Sequence, residues 1–161
     1  MSFVAREAVV AAGEGEVVTA LGSRYAYKLL GHHTGGAFSL VEETLLGSEG
    51  PPMHVHENEE ETFYVLAGRG LFVVGETQRE LTHGDLVVVP RGVPHTLAPR
   101  PGEPLRMLVI VSPAGLEQFF VDVERREQAG HQVDEDAVVA LAAQYRTRIV
   151  GPPIDGDRTS A

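Results

Sequence analysis

The sequence predicts an all-β barrel or jelly roll of about 100 residues followed by two α-helices. The first observation is the frequency of turn-forming residues, because 18 glycines and 10 prolines are spread over 161 residues. The second is that the short runs between them are rich in Val, Leu, Phe, Tyr and Thr, which is typical of many short strands. The third is a change after residue 112, where apolar residues recur at helical spacing instead.

Ten of these short runs are predicted strands. They cover residues 16–20, 24–30, 37–45, 53–56, 62–66, 70–74, 78–81, 86–89, 95–98 and 105–111. The tripeptide Gly68-Arg69-Gly70 predicts a tight hairpin between two of them. A barrel of this kind encloses an interior that is a natural place for a small ligand.

The first C-terminal helix is predicted from a possible N-cap and from the spacing of its apolar residues. Ser112 and Pro113 fit an N-cap followed by proline at the first helical position. Gly130 fits the end of this helix. The apolar residues of its face recur at i, i+3, i+4 and i+7: Leu116, Phe119, Phe120 and Val123.

A second helix is predicted to begin at Asp134 and to stop at Gly151-Pro152-Pro153. Its apolar face comprises Val138, Leu141, Ala142 and Tyr145. The predicted organisation is N-terminal strands joining the barrel (1–35), a barrel core (36–112), helices (113–150) and a tail (151–161). Packing of the helices on the barrel is the favoured interpretation, with a lid or a dimer contact as alternatives.

Composition excludes several classes of function. The 23 acidic and 13 basic residues give a net charge of −10, which disfavours nucleic acid and anionic membranes as partners. Cysteine is absent, so thiolate metal sites and cysteine nucleophiles are excluded. No apolar run approaches the ~20 residues that span a bilayer, and the early Glu7 does not fit a signal peptide. We therefore expect a soluble, cytoplasmic protein.

The segment PPMHVHENEEETFYVLAG, residues 51–68, is the first candidate site. Residues i and i+2 of a strand share one face, so the imidazoles of His54 and His56 can converge on one point. Imidazole suits Zn, Cu, Fe or Ni, and a carboxylate adds Mn. Taken alone, the pair is more often two exposed histidines of a polar loop. The role of the glutamates that follow is equally undecided, since a run of charged residues is usually solvated. These glutamates are Glu57, Glu59, Glu60 and Glu61.

The segment HGDLVVVPRGVPH, residues 83–95, is the second. A strand is followed by a rigid turn that contains two prolines and a glycine, and His95 then opens the next strand. This position is well suited to complete a site on a neighbouring strand. The alternative is a histidine at the barrel rim with a backbone partner.

Together the two segments resemble the two motifs of the cupin superfamily. In the first, His54 and His56 are followed by four residues, Glu61, six residues and Gly68. The second contains glycine, a Pro-x-Gly turn and histidine, which fall here on Gly84, Pro90-Arg91-Gly92 and His95. The resemblance covers roughly residues 36 to 112. It departs from the family where Ser48 replaces a glycine and Pro99 an asparagine.

The resemblance implies the cupin double-stranded β-helix, a jelly-roll barrel, here with two C-terminal α-helices. It also implies one divalent transition metal bound by His54, His56, Glu61 and His95 (Fe, Ni, Mn, Co, Cu or Zn). Glu61 is selected because its spacing to Gly68 matches the family motif, and the other three glutamates are then expected to be solvated. The remaining histidines are expected to be structural or at the surface: His32, His33, His83 and His131.

Among cupins, the intact ligand set is most similar to the quercetin 2,3-dioxygenase-like group. This implies O₂-dependent oxidation of a small hydroxylated or enolisable aromatic ligand in the barrel, with Glu61 also acting as the catalytic base. A non-redox isomerase or cyclase and a non-catalytic binding protein are the alternatives. A homodimer is the expectation from the family. Candidate pocket walls, or else plain core, are Phe38, Leu40, Met53, Phe63, Val65 and Leu97.

Overall fold

The computed structural model describes residues 6–157, which form eleven strands and three helices. The strands are β1 Glu16–Ala20, β2 Ser23–Leu29, β3 Ser39–Leu45, β4 Met53–His56, β5 Glu60–Ala67, β6 Arg69–Val74, β7 Thr77–Thr82, β8 Leu86–Val89, β9 His95–Pro99, β10 Leu105–Ser112 and β11 Thr147–Gly151. The helices are α1 Gly31–Thr34, α2 Glu117–Gln128 and α3 Glu135–Gln144.

The strands form two antiparallel sheets. The larger sheet has the order β1-β2-β3-β10-β5-β8, and the smaller one has the order β11-β4-β9-β6-β7. Because strand residues alternate between two faces, every second residue of β10 is buried, from Leu105 to Val111, while Arg106 and Ile110 are exposed. Side chains of both sheets meet in one apolar cluster. The predicted all-β jelly roll with two C-terminal helices is confirmed.

The connection at Gly68 differs from the predicted hairpin. β5 belongs to the larger sheet and β6 to the smaller one, so the chain crosses between sheets at this point. Gly68 has a φ of 80°, and a Cβ at this position would lie 2.2 Å from the carbonyl oxygen of Pro104. The glycines mark a sharp turn correctly. These glycines do not indicate which strand β6 pairs with.

The first C-terminal helix begins later than predicted. Ser112 is the last residue of β10, and its hydroxyl donates to the carbonyl oxygen of Ala37 over 2.9 Å rather than capping a helix. Helix α2 begins at Glu117. The prediction of the cap was therefore wrong. A Ser-Pro pair fits the end of a strand as well as the start of a helix, and the sequence pattern does not distinguish the two. The cap of α3 is confirmed, because the carboxylate of Asp134 accepts from the amide of Ala137 over 2.9 Å.

The chain returns to the barrel after α3, which the sequence did not predict. Helix α3 ends at Gln144, and residues 147–151 form β11, antiparallel to β4. The predicted helical extent to residue 150 is therefore wrong. Beyond this strand, Ile154 is buried and Asp155 bridges Glu49. The end of the predicted tail, 158–161, lies outside the described residues.

The two long helices pack on the barrel. Helix α2 contacts β1, and α3 contacts β11. Leu116, Phe119 and Val123 of the predicted apolar face are buried in the common core. The favoured interpretation, packing within one chain, is confirmed. None of the helices in the described residues is long and apolar enough to cross a membrane.

Candidate metal centre and its cavity

Four side chains from three strands meet inside the jelly roll. His54 and His56 lie on β4, Glu61 on β5 and His95 on β9. One donor atom from each lies within 4.8 Å of those from the others. His95 is the direct register partner of His54, so the third histidine does come from a neighbouring strand. The structure thus brings all four predicted residues together, and their role as metal ligands stays a prediction.

Two of the imidazoles are oriented by backbone carbonyl groups. His54 donates from Nδ1 to the oxygen of Pro52 over 2.8 Å, and His95 donates from Nδ1 to that of Val93 over 3.0 Å. A carbonyl can only accept, so Nδ1 must carry the proton in both rings. Each Nε2 is then left to face the centre, which is the tautomer that a metal-binding histidine needs.

The third imidazole is oriented by Thr147, which sequence reasoning missed. His56 Nδ1 lies 2.8 Å from Thr147 Oγ1, and that hydroxyl in turn donates to the carbonyl oxygen of Tyr145 over 3.5 Å. Thr147 opens β11 directly opposite His56. The run Thr-Arg-Ile-Val is rich in β-branched residues and could have indicated a strand. Nothing in the sequence indicates which strand it pairs with.

The carboxylate of Glu61 forms the centre of the cluster. Its Oε2 lies 3.2 Å from His56 Nε2 and 3.0 Å from His95 Nε2, and the residue is only 7% exposed. Burial would raise the pKa of Glu61, but its attraction to and hydrogen bonds with His56 and His95 outweigh burial and hold it well below the usual value. The buried centre therefore holds a negative charge.

The pKa values of His56 and His54 shift in opposite directions, although the charge of Glu61 raises both. Burial lowers the pKa of His56, but the charge and hydrogen bond of Glu61 outweigh burial and shift it upwards. For His54, burial and then repulsion from His95 and His56 lower the pKa to about 3, so this ring is neutral. His54 is thus available as a lone-pair donor across the physiological pH range.

This donor set fits a divalent transition ion. Three imidazole nitrogens and one carboxylate oxygen suit Zn, Fe, Ni, Co, Cu or Mn. Metal–ligand bonds of about 2.0–2.2 Å separate donor atoms by at most roughly 4.4 Å. The observed donor atoms lie within 4.8 Å of one another, so binding a metal would require only a small contraction of the group. A buried carboxylate also needs a nearby positive charge, and a metal ion would supply it.

The neighbouring glutamates are not all solvated. Glu57 and Glu60 are exposed as predicted. Glu59 is only 6% exposed, so its predicted solvation was wrong. Its Oε1 accepts from Asn58 over 2.8 Å, and Oε2 has no partner among the described residues. Glu59 lies just before β5, which begins at Glu60, so its burial does not follow from the alternation of that strand.

The other histidines lie outside the cluster. His32, His83 and His131 are exposed, which agrees with the predicted surface role. His33 is half-buried, and its Nδ1 accepts from the amide of Leu30 over 3.1 Å, which is a local structural contact.

A cavity of about 440 Å³ opens beside the cluster. His54, His56 and Glu61 line it, together with Phe63 and Leu97, two of the predicted wall residues. The other predicted wall residues lie outside its lining: Phe38, Leu40, Met53 and Val65. Val65 is fully buried in the core, which is the alternative considered for these positions.

Much of the wall comes from the C-terminal elements, which sequence reasoning did not assign to the site. Leu116 precedes α2, which supplies Phe119 and Phe120. Helix α3 supplies Val138, Val139 and Ala142, and β11 supplies Thr147 and Ile149. The helical periodicity identified the apolar faces. It could not identify what those faces cover, which is the cavity beside the candidate metal centre.

Comparison with known proteins shows which family the central part of the chain resembles. Residues 41–111 match the family model Cupin_2, the cupin domain. A segment of 56 residues is 34% identical to an uncharacterized protein of Methanocaldococcus jannaschii, and it covers 35% of this chain and 45% of that protein. The match thus spans less than half the length of this curated relative.

Solved structures show the same fold. An RmlC-like cupin from Shewanella frigidimarina is 20% identical with a TM-score of 0.60, over 70% of this chain and 96% of that one. The polyketide cyclase RemF from Streptomyces resistomycificus is 24% identical with a TM-score of 0.58, over 66% and 80%. The Streptomyces nucleoside dehydratase Pac13 is 18% identical with a TM-score of 0.56, over 70% and 88%. Residues 41–111 are therefore similar to the cupin domain, and the chain has the same jelly-roll fold as these solved structures.

Proposed function

We propose that this cupin binds a divalent transition metal through His54, His56, Glu61 and His95 and uses O₂ to oxidise a small hydroxylated or enolisable aromatic compound. The observation that carries the proposal is the grouping of the four donor atoms within 4.8 Å at the wall of a largely apolar cavity. The metal identity (Fe, Ni, Mn, Co, Cu or Zn) is not part of the proposal.

The bound metal would act as a Lewis acid and hold the substrate oxygen in place. Four protein ligands fill a tetrahedral ion, whereas a five- or six-coordinate ion keeps room for the substrate. The protein residues supply the remaining chemistry. Glu61 is the candidate base that takes the proton of the substrate hydroxyl, because it is held ionised next to two imidazoles.

The cavity walls support an aromatic substrate. Phe63, Leu97, Phe119 and Phe120 present apolar or aromatic surface, and the volume of about 440 Å³ suits a molecule of two or three rings. Helix α2 separates this space from solvent on one side, and the exclusion of water strengthens interactions between charges inside.

Acid–base chemistry without a redox step is the second candidate, and Glu43 favours it. This residue lines the same cavity as Glu61. Burial, and then the charge of Glu61, raise the pKa of Glu43 to about 8. A carboxylic acid and a carboxylate that face one cavity can act as acid and base in a dehydration, cyclisation or isomerisation. The likeness to RemF and Pac13 extends to the fold alone.

Oxygen consumption tests the proposal. Protein loaded separately with Fe, Ni, Mn or Co is offered flavonols and 1,3-diketones in an oxygen electrode. We expect uptake above the protein-free rate with at least one metal. Glu61→Gln should reduce this rate by about 100-fold or more, whereas Glu60→Gln, the exposed neighbour, should leave it unchanged.

Two results would overturn these assignments. If no metal supports oxygen uptake with any substrate of either class, the oxidative proposal is wrong. If turnover occurs but survives Glu61→Gln, Glu61 is not the base. Substrate consumption that continues under anaerobic conditions would support the acid–base candidate instead.

A further inference from the structure

A pair of polar residues lines the cavity in addition to the four residues of the metal cluster. Tyr25 on β2 and Glu43 on β3 are direct cross-strand partners. Both residues line the cavity, and the hydroxyl of Tyr25 interacts with the carboxyl of Glu43. Directly opposed residues of an antiparallel pair have Cβ atoms about 5 Å apart, so this contact is built into the sheet.

The position of this pair is unusual for a jelly-roll interior. The other inward residues of β3 near it are Val41 and Leu45, both buried and apolar. A carboxyl group at such a position carries a desolvation cost, which a hydrogen-bonding role in the cavity would explain. Burial, followed by the charge of Glu61, raises the pKa of Glu43 to about 8, so it can donate a hydrogen bond near neutral pH.

Tyr25 is held in place by a helix. Its ring stacks on Phe120 of α2, with centroids 4.0 Å apart and planes 26° from parallel, and the residue is only 5% exposed. Phe120 also lines the cavity. An aromatic wall therefore lies immediately beside the phenol hydroxyl.

The charge of the lining restricts the ligand. The described residues that line the cavity include four glutamates and no lysine or arginine: Glu43, Glu49, Glu61 and Glu135. Away from the metal cluster, a phosphate or carboxylate ligand would find no lysine or arginine there to balance its charge. The lining favours an uncharged molecule.

We propose that Tyr25 and Glu43 bind a hydroxyl or carbonyl oxygen of an uncharged aromatic ligand, at a point distinct from the metal cluster. The aromatic class rests on the proposed function, whereas the binding of the oxygen rests on the pair itself. A ligand hydroxyl can accept a hydrogen bond from one partner and donate to the other. An apolar ring can lie against Phe120 and Phe63 at the same time.

The test uses two probes that differ by one hydroxyl, 2-naphthol and naphthalene. Binding to the metal-loaded protein is titrated by fluorescence. One net hydrogen bond predicts that 2-naphthol binds roughly 3- to 10-fold more tightly. Tyr25→Phe and Glu43→Leu should each remove most of this preference, whereas Glu43→Gln, which retains a donor, should keep part of it.

The controls separate the pair from the metal and from general damage. Tyr27→Phe removes a hydroxyl from the same face of β2, but that hydroxyl donates to the carbonyl oxygen of Glu117 over 2.7 Å and does not line the cavity. This variant should keep the full preference for 2-naphthol. The preference should also persist after the metal is removed with a chelator.

The proposal is overturned if wild-type protein binds both probes equally, or if the preference survives in both Tyr25→Phe and Glu43→Leu. Loss of the preference on metal removal would also overturn it, because the metal would then hold the hydroxyl. These outcomes are independent of oxygen uptake, so failure of the oxidase assay and failure of this proposal can be told apart.

Discussion

The two ends of the cavity are built in different ways. At the metal end, the four clustered residues come from three strands within residues 54–95. Away from the metal ligands, in what we call the opposite end, the lining comes mainly from β2, β3, α2, α3 and β11, which are spread over residues 23–151. The first end can be identified from the sequence because its residues resemble two motifs of a known family. The second end exists only after distant segments have packed together.

The same two ends hold glutamates with opposite electrostatics. Glu61 has two imidazoles against its carboxylate, which hold its pKa well below the usual value despite burial. Glu43 has burial and a neighbouring negative charge, which raise its pKa to about 8. Residue type alone therefore does not define a role, and the difference lies in the groups around each carboxyl.

The largest effect is expected at the metal end. His95→Ala removes one of the four proposed ligands from the most buried position of the cluster. We expect metal affinity to fall by about 100-fold or more, since even indirect partners of ligands contribute about 10- to 100-fold. Competition with a chromophoric chelator measures this. His83→Ala, an exposed histidine nearby in the sequence, is the matched control, and equal affinities in the two variants would contradict the ligand assignment.

At the opposite end, a substitution is expected to lower the stability of the fold. Phe119 is only 8% exposed and contacts the rings of Phe120 and Tyr145. Phe119→Ala should lower the free energy of unfolding by about 3–5 kcal/mol, measured by urea denaturation. Metal affinity should change little, because the ligands lie on other elements. Val139→Ala, at a 42% exposed position of α3, should cost much less, and equal losses would show that α2 does not close the core.

Thr147 connects the two ends, and its replacement should have an intermediate effect. Thr147→Val keeps the shape but removes the acceptor of His56 Nδ1. We expect metal affinity to fall by about 10- to 100-fold. Thr147→Ser should restore most of this loss because the hydroxyl returns. An unchanged affinity in Thr147→Val would mean that β11 does not orient the ring.

The smallest effect is expected at the helix cap. Asp134→Ala removes the acceptor for the amide of Ala137 at the start of α3. The free energy of unfolding should fall by about 1 kcal/mol, and Asp134→Ser should recover part of it. Denaturation at equilibrium measures both. If Asp134→Ser is as unstable as Asp134→Ala, the capping bond does not stabilise α3.

Most strands could be predicted because their signals are local. The predicted strands at 16–20, 53–56 and 86–89 agree with the observed bounds, and the other predicted strands differ by one or two residues at one or both ends. Alternation and turn residues act over a few positions. The crossing at Gly68 and the pairing of β11 with β4 depend on contacts between distant residues, so local patterns could not predict them.

In the candidate site, too, some features could be predicted from local patterns and others could not. The family motif selected Glu61 from four glutamates, and the structure brings it to three histidines. The burial of Glu59 was not predicted, because the run of charges suggested exposure to solvent. Tyr25 and Glu43 match no motif, and only the register of β2 and β3 brings them together. The homodimer expected from the family stays a prediction.

Elemental analysis tests the central claim most directly. Wild-type protein, purified from its native host without chelators, is compared with His95→Ala by mass spectrometry of its metals. The account predicts about one equivalent of a single transition metal per wild-type chain and strong depletion in the variant. Wild-type protein without a stoichiometric metal, or a variant with the same metal content, would contradict it.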